Sequence, residues 1–333
     1  MKSAKGPEKT TSEDRLKGAI WGQFVGDAAA LGTHWIYDLS EQREQYPDGV
    51  NGFEAPKEGH YHFGKQPGDQ THYGDGALVL LESIAKEGAF DVRAFGSSFV
   101  ESFRPGVYPG YLDHATMGTL ENFKKFTEFG SARDFDFQQG ADDDQLAAAS
   151  RLAALVVRYS NDPSVLSLVE QATRVCQNNE YAVAYMKFNA LLLLEFLNKS
   201  DVQAAVAHAA DKISTIDLGP EISVQVHQAF ELVSKDVTDV TLAFGQSCPL
   251  PKSFPSSVHA LLKHSENFET AILAVVRAGG DSAGRAAMVG AWLGAHLGID
   301  AIPEFWRSRL THADRISTAV EKILADTSVQ SAK

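Results

Sequence analysis

Two aspartates carry the sequence's clearest chemical potential. Asp75 sits in Tyr73-Gly74-Asp75-Gly76 before the apolar run Ala77 to Ile84, and Asp281 sits in Gly279-Gly280-Asp281-Ser282 before the run ending at Leu297. Both therefore fall at expected helix N-termini. There a carboxylate accepts a first-turn N–H and stabilises the helix by about 1 kcal/mol. Two such carboxylates facing one another could instead hold a hard cation, since magnesium takes oxygen ligands. A two-metal centre that activates water needs more oxygens than these two supply, and Asp69, Thr71 and Ser282 are the nearest in sequence. The metal candidates are thus Asp75, Asp281 and Ser282; the catalytic candidates are Asp75, Asp281 and Asp27. Asp27 follows Gly26 on the stripe that carries Phe24 and Leu31. A carboxylate there must bond local backbone donors or shape a site, because a buried unpaired charge is costly.

His34, His60, His62 and His72 concentrate in the first quarter of the chain. A zinc or iron site can be drawn from them with Asp75, but their spacing matches no known ligand pattern, and surface or capping roles are the simpler reading. His34, His72, Tyr73 and Gly280 are candidates for substrate contact. His259 and His264 are five apart and share no helix face. Asp142-Asp143-Asp144 suits a solvated helix start, with its charges at the positive end of the dipole. No Walker A loop or CxxC pair occurs, which removes the commonest nucleoside-triphosphatase and redox readings.

The elements that must position these residues are helical. Leu16, Ile20, Phe24, Ala28 and Leu31 recur at steps of three and four, predicting a buried helix from about Asp14 onward. Similar patterns run over 77–86, 144–160, 164–176, 182–197, 202–213, 223–233, 268–278, 285–297 and 313–325. Strand-like alternation is scarce, so the fold class is all-α. Gly18, Gly22 and Gly26 repeat every four residues, as do Gly290, Gly294 and Gly298. An interior glycine weakens a helix by about 0.8–1 kcal/mol relative to alanine, so such ridges suggest close backbone packing between these two helices. Residues 49–76 form a long irregular stretch rich in Gly, Pro, His and Tyr. Its aromatic content argues against disorder and predicts an ordered segment over a pocket.

At 333 residues and 44% hydrophobic content, with no linker-like run, the chain reads as one domain over 14–326 between short tails, 1–13 and 327–333. A net charge of −13 with scattered lysines and arginines argues against a nucleic-acid partner. The two cysteines, Cys176 and Cys248, give no disulfide framework and fit a reducing, cytoplasmic setting. No stretch supplies the roughly 20 apolar residues of a membrane span.

The stretch Gly18 to Ala28, ending Gly26-Asp27-Ala28, resembles the opening helix of the ADP-ribosylglycohydrolases. Tyr73 to Ile84 is similar to that family's Thr-Asp-Asp-Thr segment, Ala149 to Leu155 to its Arg-containing central helix, and Gly279 to Gly298 to its Gly-Gly-Asp-Thr-Asp-Thr helix. Coverage runs from about Leu16 to Trp306. The resemblance implies an all-α enzyme that holds two magnesium ions between the two Asp/Thr motifs and cleaves the glycosidic bond joining ADP-ribose to a side chain. Position by position, Asp75 and Asp281 match, and Ser282 stands for a Thr. Gly74, Gly76, Ala77, Ala283 and Gly284 stand where the family has oxygen ligands, and His34 falls near a family Glu. Loss of those oxygens predicts that at least one magnesium is lost or weakly held.

The departures, with residues 32–38 and 68–75, resemble the J-crystallin and selenoprotein J branch, to which jellyfish eye-lens crystallins belong. That implies a soluble structural protein with little or no hydrolase activity, self-association being compatible with such a role. The same resemblance leaves two other functions open. One is an active hydrolase using Asp75 and Asp281 with Asp69 or Asp27; the other is a module that binds ADP-ribose or a related nucleotide without turnover.

Overall fold

The structure, a computed structural model, describes residues 10–331. Sixteen α-helices are present among them, and the extended pairing is limited to two isolated bridges, Ala141 with Gln177 and Gln145 with Pro249. In chain order the helices are α1 (Ser12–Ala30), α2 (Leu39–Gln45), α3 (His72–Glu87), α4 (Val92–Phe103), α5 (His114–Phe129), α6 (Ala153–Arg158), α7 (Val165–Arg174) and α8 (Glu180–Leu197). They continue as α9 (Val202–Ile213), α10 (Gly219–Glu231), α11 (Val237–Phe244), α12 (Leu250–Lys263), α13 (Phe268–Arg277), α14 (Ser282–Leu297), α15 (Glu304–Ser308) and α16 (Ala313–Ser331). The expected all-α fold is what forms.

The core is organised by α1 and α14. Every residue of α1 from Gly18 to Ala30 except Trp21 is buried, as is every residue of α14 from Ser282 to Ala295. A helix buried all round is a central helix. The two glycine ridges meet: a methyl group on Gly18 would overlap the carbonyl of Gly294, one on Gly22 that of Gly290, and one on Gly26 that of Ala286. The falling partner numbers make the pair antiparallel. α3, α6 and α16 pack on α1, and α8, α12 and α13 pack on α14.

This antiparallel crossing brings the C-terminal end of α1 and the N-terminal end of α14 to the same end of the core. The N-terminus of α3 joins them, because the Asp27 carboxylate of α1 accepts the Thr71 amide (2.7 Å) and the Thr71 hydroxyl (2.6 Å). The residues singled out by sequence are thereby gathered from three distant segments.

Two expectations need correction. The helix predicted over 144–160 is replaced by a 3₁₀ turn (Ala148–Ser150) and the short α6, the residues between being buried and irregular. Side-chain amides take the place of helical hydrogen bonds there. Gln177 Nε2 donates to the carbonyls of Asp143 and Gln145, Gln177 Oε1 accepts the Ala148 amide, and Gln23 Oε1 accepts the Ala153 amide. Asp143 is correspondingly buried against Gln177 rather than solvated. At the other end, the tail read from Thr327 continues as helix to Ser331, with Thr327 buried and its hydroxyl on the Ile323 carbonyl. At the first end, helix begins at Ser12, capped by Thr11; residues 1–9 of the expected tail lie outside the described residues.

Candidate functional site

The loop leaving α1 crosses the N-terminus of α14 as Thr33-His34-Trp35-Ile36. Trp35 N–H donates to the Gly280 carbonyl and Gly280 N–H to the Ile36 carbonyl, both at 2.8 Å. The pairing holds Trp35 at φ 67°, a left-handed conformation that costs a bulky residue energy and is therefore set by its surroundings. Gly280 is itself at φ 68°, and a Cβ there would overlap Gln246. Its contribution is backbone geometry.

Above this crossing lies a pocket of about 320 Å³ lined by Trp35, Tyr37, Tyr61, Tyr111, Asp113, His114, Gln145 and Cys248. Trp35 meets Tyr61 and Tyr111 edge to face, at 5.2 and 4.9 Å between ring centres. Tyr61 comes from the irregular stretch expected to cover a pocket, which it does.

Beneath the aromatic rings are buried imidazoles and carboxylates. His34, His62 and His72 are 0%, 2% and 3% exposed, and Trp35 contacts all three rings. Among the described residues, this triad is the group of His, Cys, Asp or Glu close enough to hold a metal ion. Sequence spacing missed it because the three residues come from the loop after α1, the long loop and the start of α3. His60 and His62, read as capping or surface residues, divide: His60 sits on the His34 carbonyl at 2.7 Å, whereas His62 joins the triad. Burial, reinforced by the neighbouring histidines, drives the His34 pKa well below its ordinary value and that of His62 down to about 2.

Asp281 caps α14, as expected: it is fully buried, accepts the Tyr73 hydroxyl at 3.0 Å, and has its Oδ1 3.7 Å from His34 Nδ1. Burial raises its pKa against the lowering effects of Cys248 and Tyr73. Asp75 lies inside α3 instead of capping it; the cap is Thr71, whose hydroxyl accepts the Tyr73 amide. Asp75 Oδ2 is engaged by Lys65 Nζ (2.7 Å) and the Tyr108 hydroxyl (2.6 Å). Burial pushes the Asp27 pKa up to about 6 against its two bonds from Thr71. Ser282 Oγ is buried without a hydrogen-bond partner. Asp69 turns away to cap its own loop and to accept the Thr311 hydroxyl.

These residues do not fit a magnesium pair. Where the motif comparison places missing oxygens, other groups fill the space: a side chain at Gly74 would overlap Asp27 and Gln70, one at Gly284 would lie 2.6 Å from Leu146 Cβ, and one at Gly76 would lie 3.3 Å from Arg151 Nη2. The surviving Asp75 already faces an ammonium, and Asp281 a phenol and an imidazole.

The all-helical chain belongs to a known class: the ADP-ribosylglycohydrolase family model matches residues 8–333. Within that class the chain is 25% identical to crystallin J1A of Tripedalia cystophora, covering 94% of this chain and 97% of that one. It is 24% identical to crystallin J1B of the same organism, over the same shares. It is also 25% identical to the ADP-ribosylarginine hydrolase Tri1 of Pseudomonas putida (strain GB-1), over 93% of this chain and 78% of the hydrolase. An ADP-ribosylglycohydrolase-related protein complex shares the fold, with a TM-score of 0.68 at 23% identity over 95% and 99% of the two chains.

Proposed function

We propose that this chain is a crystallin-type member of its family, with the magnesium-dependent cleavage of ADP-ribose lost, acting as a structural protein of the cytoplasm. The observation that carries the reading is the Lys65 ammonium, 2.7 Å from the Asp75 carboxylate. A fixed cation of the protein occupies the charge that a motif carboxylate would offer to magnesium, and a hard dication gains nothing from the Gly and Ala at the other motif positions. The likeness to the jellyfish crystallins over nearly the full length of both chains adds to this, as does the net charge of −13. The test is release of ADP-ribose from an ADP-ribosylated arginine protein, with and without magnesium, beside calorimetric titration with magnesium. The expected result is no release above background and no magnesium heat. Robust magnesium-dependent release, abolished by Asp75→Ala and by Asp281→Ala, would replace this reading with that of a working hydrolase.

The aromatic pocket favours a second reading, in which the same fold binds ADP-ribose or a related nucleotide without turnover. At about 320 Å³ the pocket is at the small end of ligand sites, of the size for one ring system stacked between Trp35, Tyr61 and Tyr111. Calorimetry with ADP-ribose decides it: heat that disappears in Trp35→Ala supports binding, and no heat rejects it.

A further inference from the structure

We propose that His34, His62 and His72 form a binding site for one divalent late first-row metal ion of the zinc type, beneath the aromatic pocket, with Asp281 and Asp113 orienting two of the three imidazoles. This site is chemically unlike a magnesium pair and stands whether or not the preceding reading does.

The first observation is a set of unpaired buried nitrogens. His34 Nε2, both ring nitrogens of His62 and Nδ1 of His72 are buried without a hydrogen-bond partner. Buried polar atoms are nearly always satisfied, and three adjacent imidazoles left unsatisfied call for a shared partner. The second is spacing. One nitrogen from each ring lies within 4.8 Å of the others, and the ring centres are 5.4 to 5.8 Å apart. With Zn–N of about 2.0–2.1 Å, tetrahedral imidazoles place their nitrogens about 3.4 Å and their ring centres about 5 Å apart. The rings are already near that separation, and the nitrogens close in by rotation about χ2.

The third observation is the shell behind the rings. His34 Nδ1 lies 3.7 Å from Asp281 Oδ1, and His72 Nε2 lies 3.5 Å from Asp113 Oδ2. Metal-bound histidines characteristically direct their second nitrogen to a carboxylate or carbonyl. Protons on those two nitrogens leave His34 Nε2 and His72 Nδ1 as ligands. The Ala283 amide, 3.3 Å from His34 Nδ1, competes for that nitrogen in the opposite tautomer, so metal binding selects the tautomer protonated toward Asp281. Imidazole nitrogens suit zinc, nickel, copper or cobalt and not magnesium.

The test uses the full-length protein, stripped with chelator and titrated with cobalt(II), read by visible d–d absorption, and with zinc by calorimetry. One equivalent per chain is expected. Asp113→Asn is expected to weaken binding about 10–100-fold. His62→Ala is expected to abolish the cobalt bands, while His264→Gln, outside the triad, leaves them unchanged. Circular dichroism reports folding of each variant, and Asp113→Asn carries the test if His62→Ala does not fold. Folded wild-type protein that gives neither cobalt bands nor zinc heat overturns the proposal. So does metal binding unaffected by Asp113→Asn and by a folded His62→Ala. Because the readout is absorption by bound cobalt, its outcome is separate from that of the hydrolysis assay.

Discussion

Thr71 ties three structural facts into one side chain. Its hydroxyl caps α3 by accepting the Tyr73 amide, and the same hydroxyl donates to Asp27 Oδ1 while its amide donates to Asp27 Oδ2. Gln70 completes the shell, its amide nitrogen turned inward to donate to Asp27 Oδ2 at 3.0 Å. Thr71→Val keeps the shape and removes both hydroxyl bonds. Loss of an N-cap costs about 0.5–2 kcal/mol and loss of a bond to a charged group about 1.5–3 kcal/mol. A decrease of about 2–4 kcal/mol in urea unfolding is therefore expected, with Thr71→Ser largely sparing it. A loss below 0.5 kcal/mol would mean that Asp27 is satisfied without the hydroxyl. At this scale the sequence was informative about Asp281 as a cap and about Asp27 as a carboxylate needing donors. It misplaced Asp75, because His72-Tyr73-Gly74 reads as loop. Gly74 is helical there, its missing side chain being the space into which Asp27 and Gln70 close.

At the scale of elements, the α1–α14 contact is the feature most legible in sequence, since a four-residue glycine period in two helices has few uses besides backbone contact. Gly22→Ala tests it. The added methyl would overlap the Gly290 carbonyl, a backbone atom that moves only if the two central helices part. Overpacking of a core commonly costs 1–3 kcal/mol and more where backbone must shift, so a loss of at least about 3 kcal/mol in the urea transition is expected. An alanine tolerated with less than about 1 kcal/mol would show that the helices are less closely packed than their ridges imply. The irregular segment before α6 was illegible for the converse reason. Leu146 to Ala149 is apolar and suits a helix by local pattern, but Gln23 and Gln177, remote in sequence, supply its hydrogen bonds. The His34, His62 and His72 triad shares that character, for its members come from the loop after α1, the long loop and the start of α3 and meet only in the folded chain.

For the molecule as a whole, the buried imidazoles set the response to acid. The folded protein keeps His34 and His62 neutral well below pH 6.5, whereas the unfolded chain protonates both near that pH. The unfolded state then binds more protons than the native state, and stability falls as pH falls below 6.5, His62 contributing about 2 kcal/mol by pH 5 and His34 acting in the same direction. Asp27 acts with the opposite sign: its folded pKa of about 6 means that the native state takes up a proton before the unfolded chain does, returning about 1 kcal/mol over the same interval. Asp281 and Asp143, also raised by burial, act in the same direction as Asp27. His60, His259 and His296, lowered chiefly by burial, add to the histidine side. The lowered histidines outnumber the raised carboxylates, so urea unfolding is expected to show a net loss of stability between pH 7 and pH 5. Zinc held by the triad would add stability across the whole interval, because it binds the native state and His34 and His62 are already neutral there. Stability that stayed level or rose over that interval in metal-free protein would require imidazoles that take up protons inside the fold, and His62 beneath Trp35 would then have to open to water.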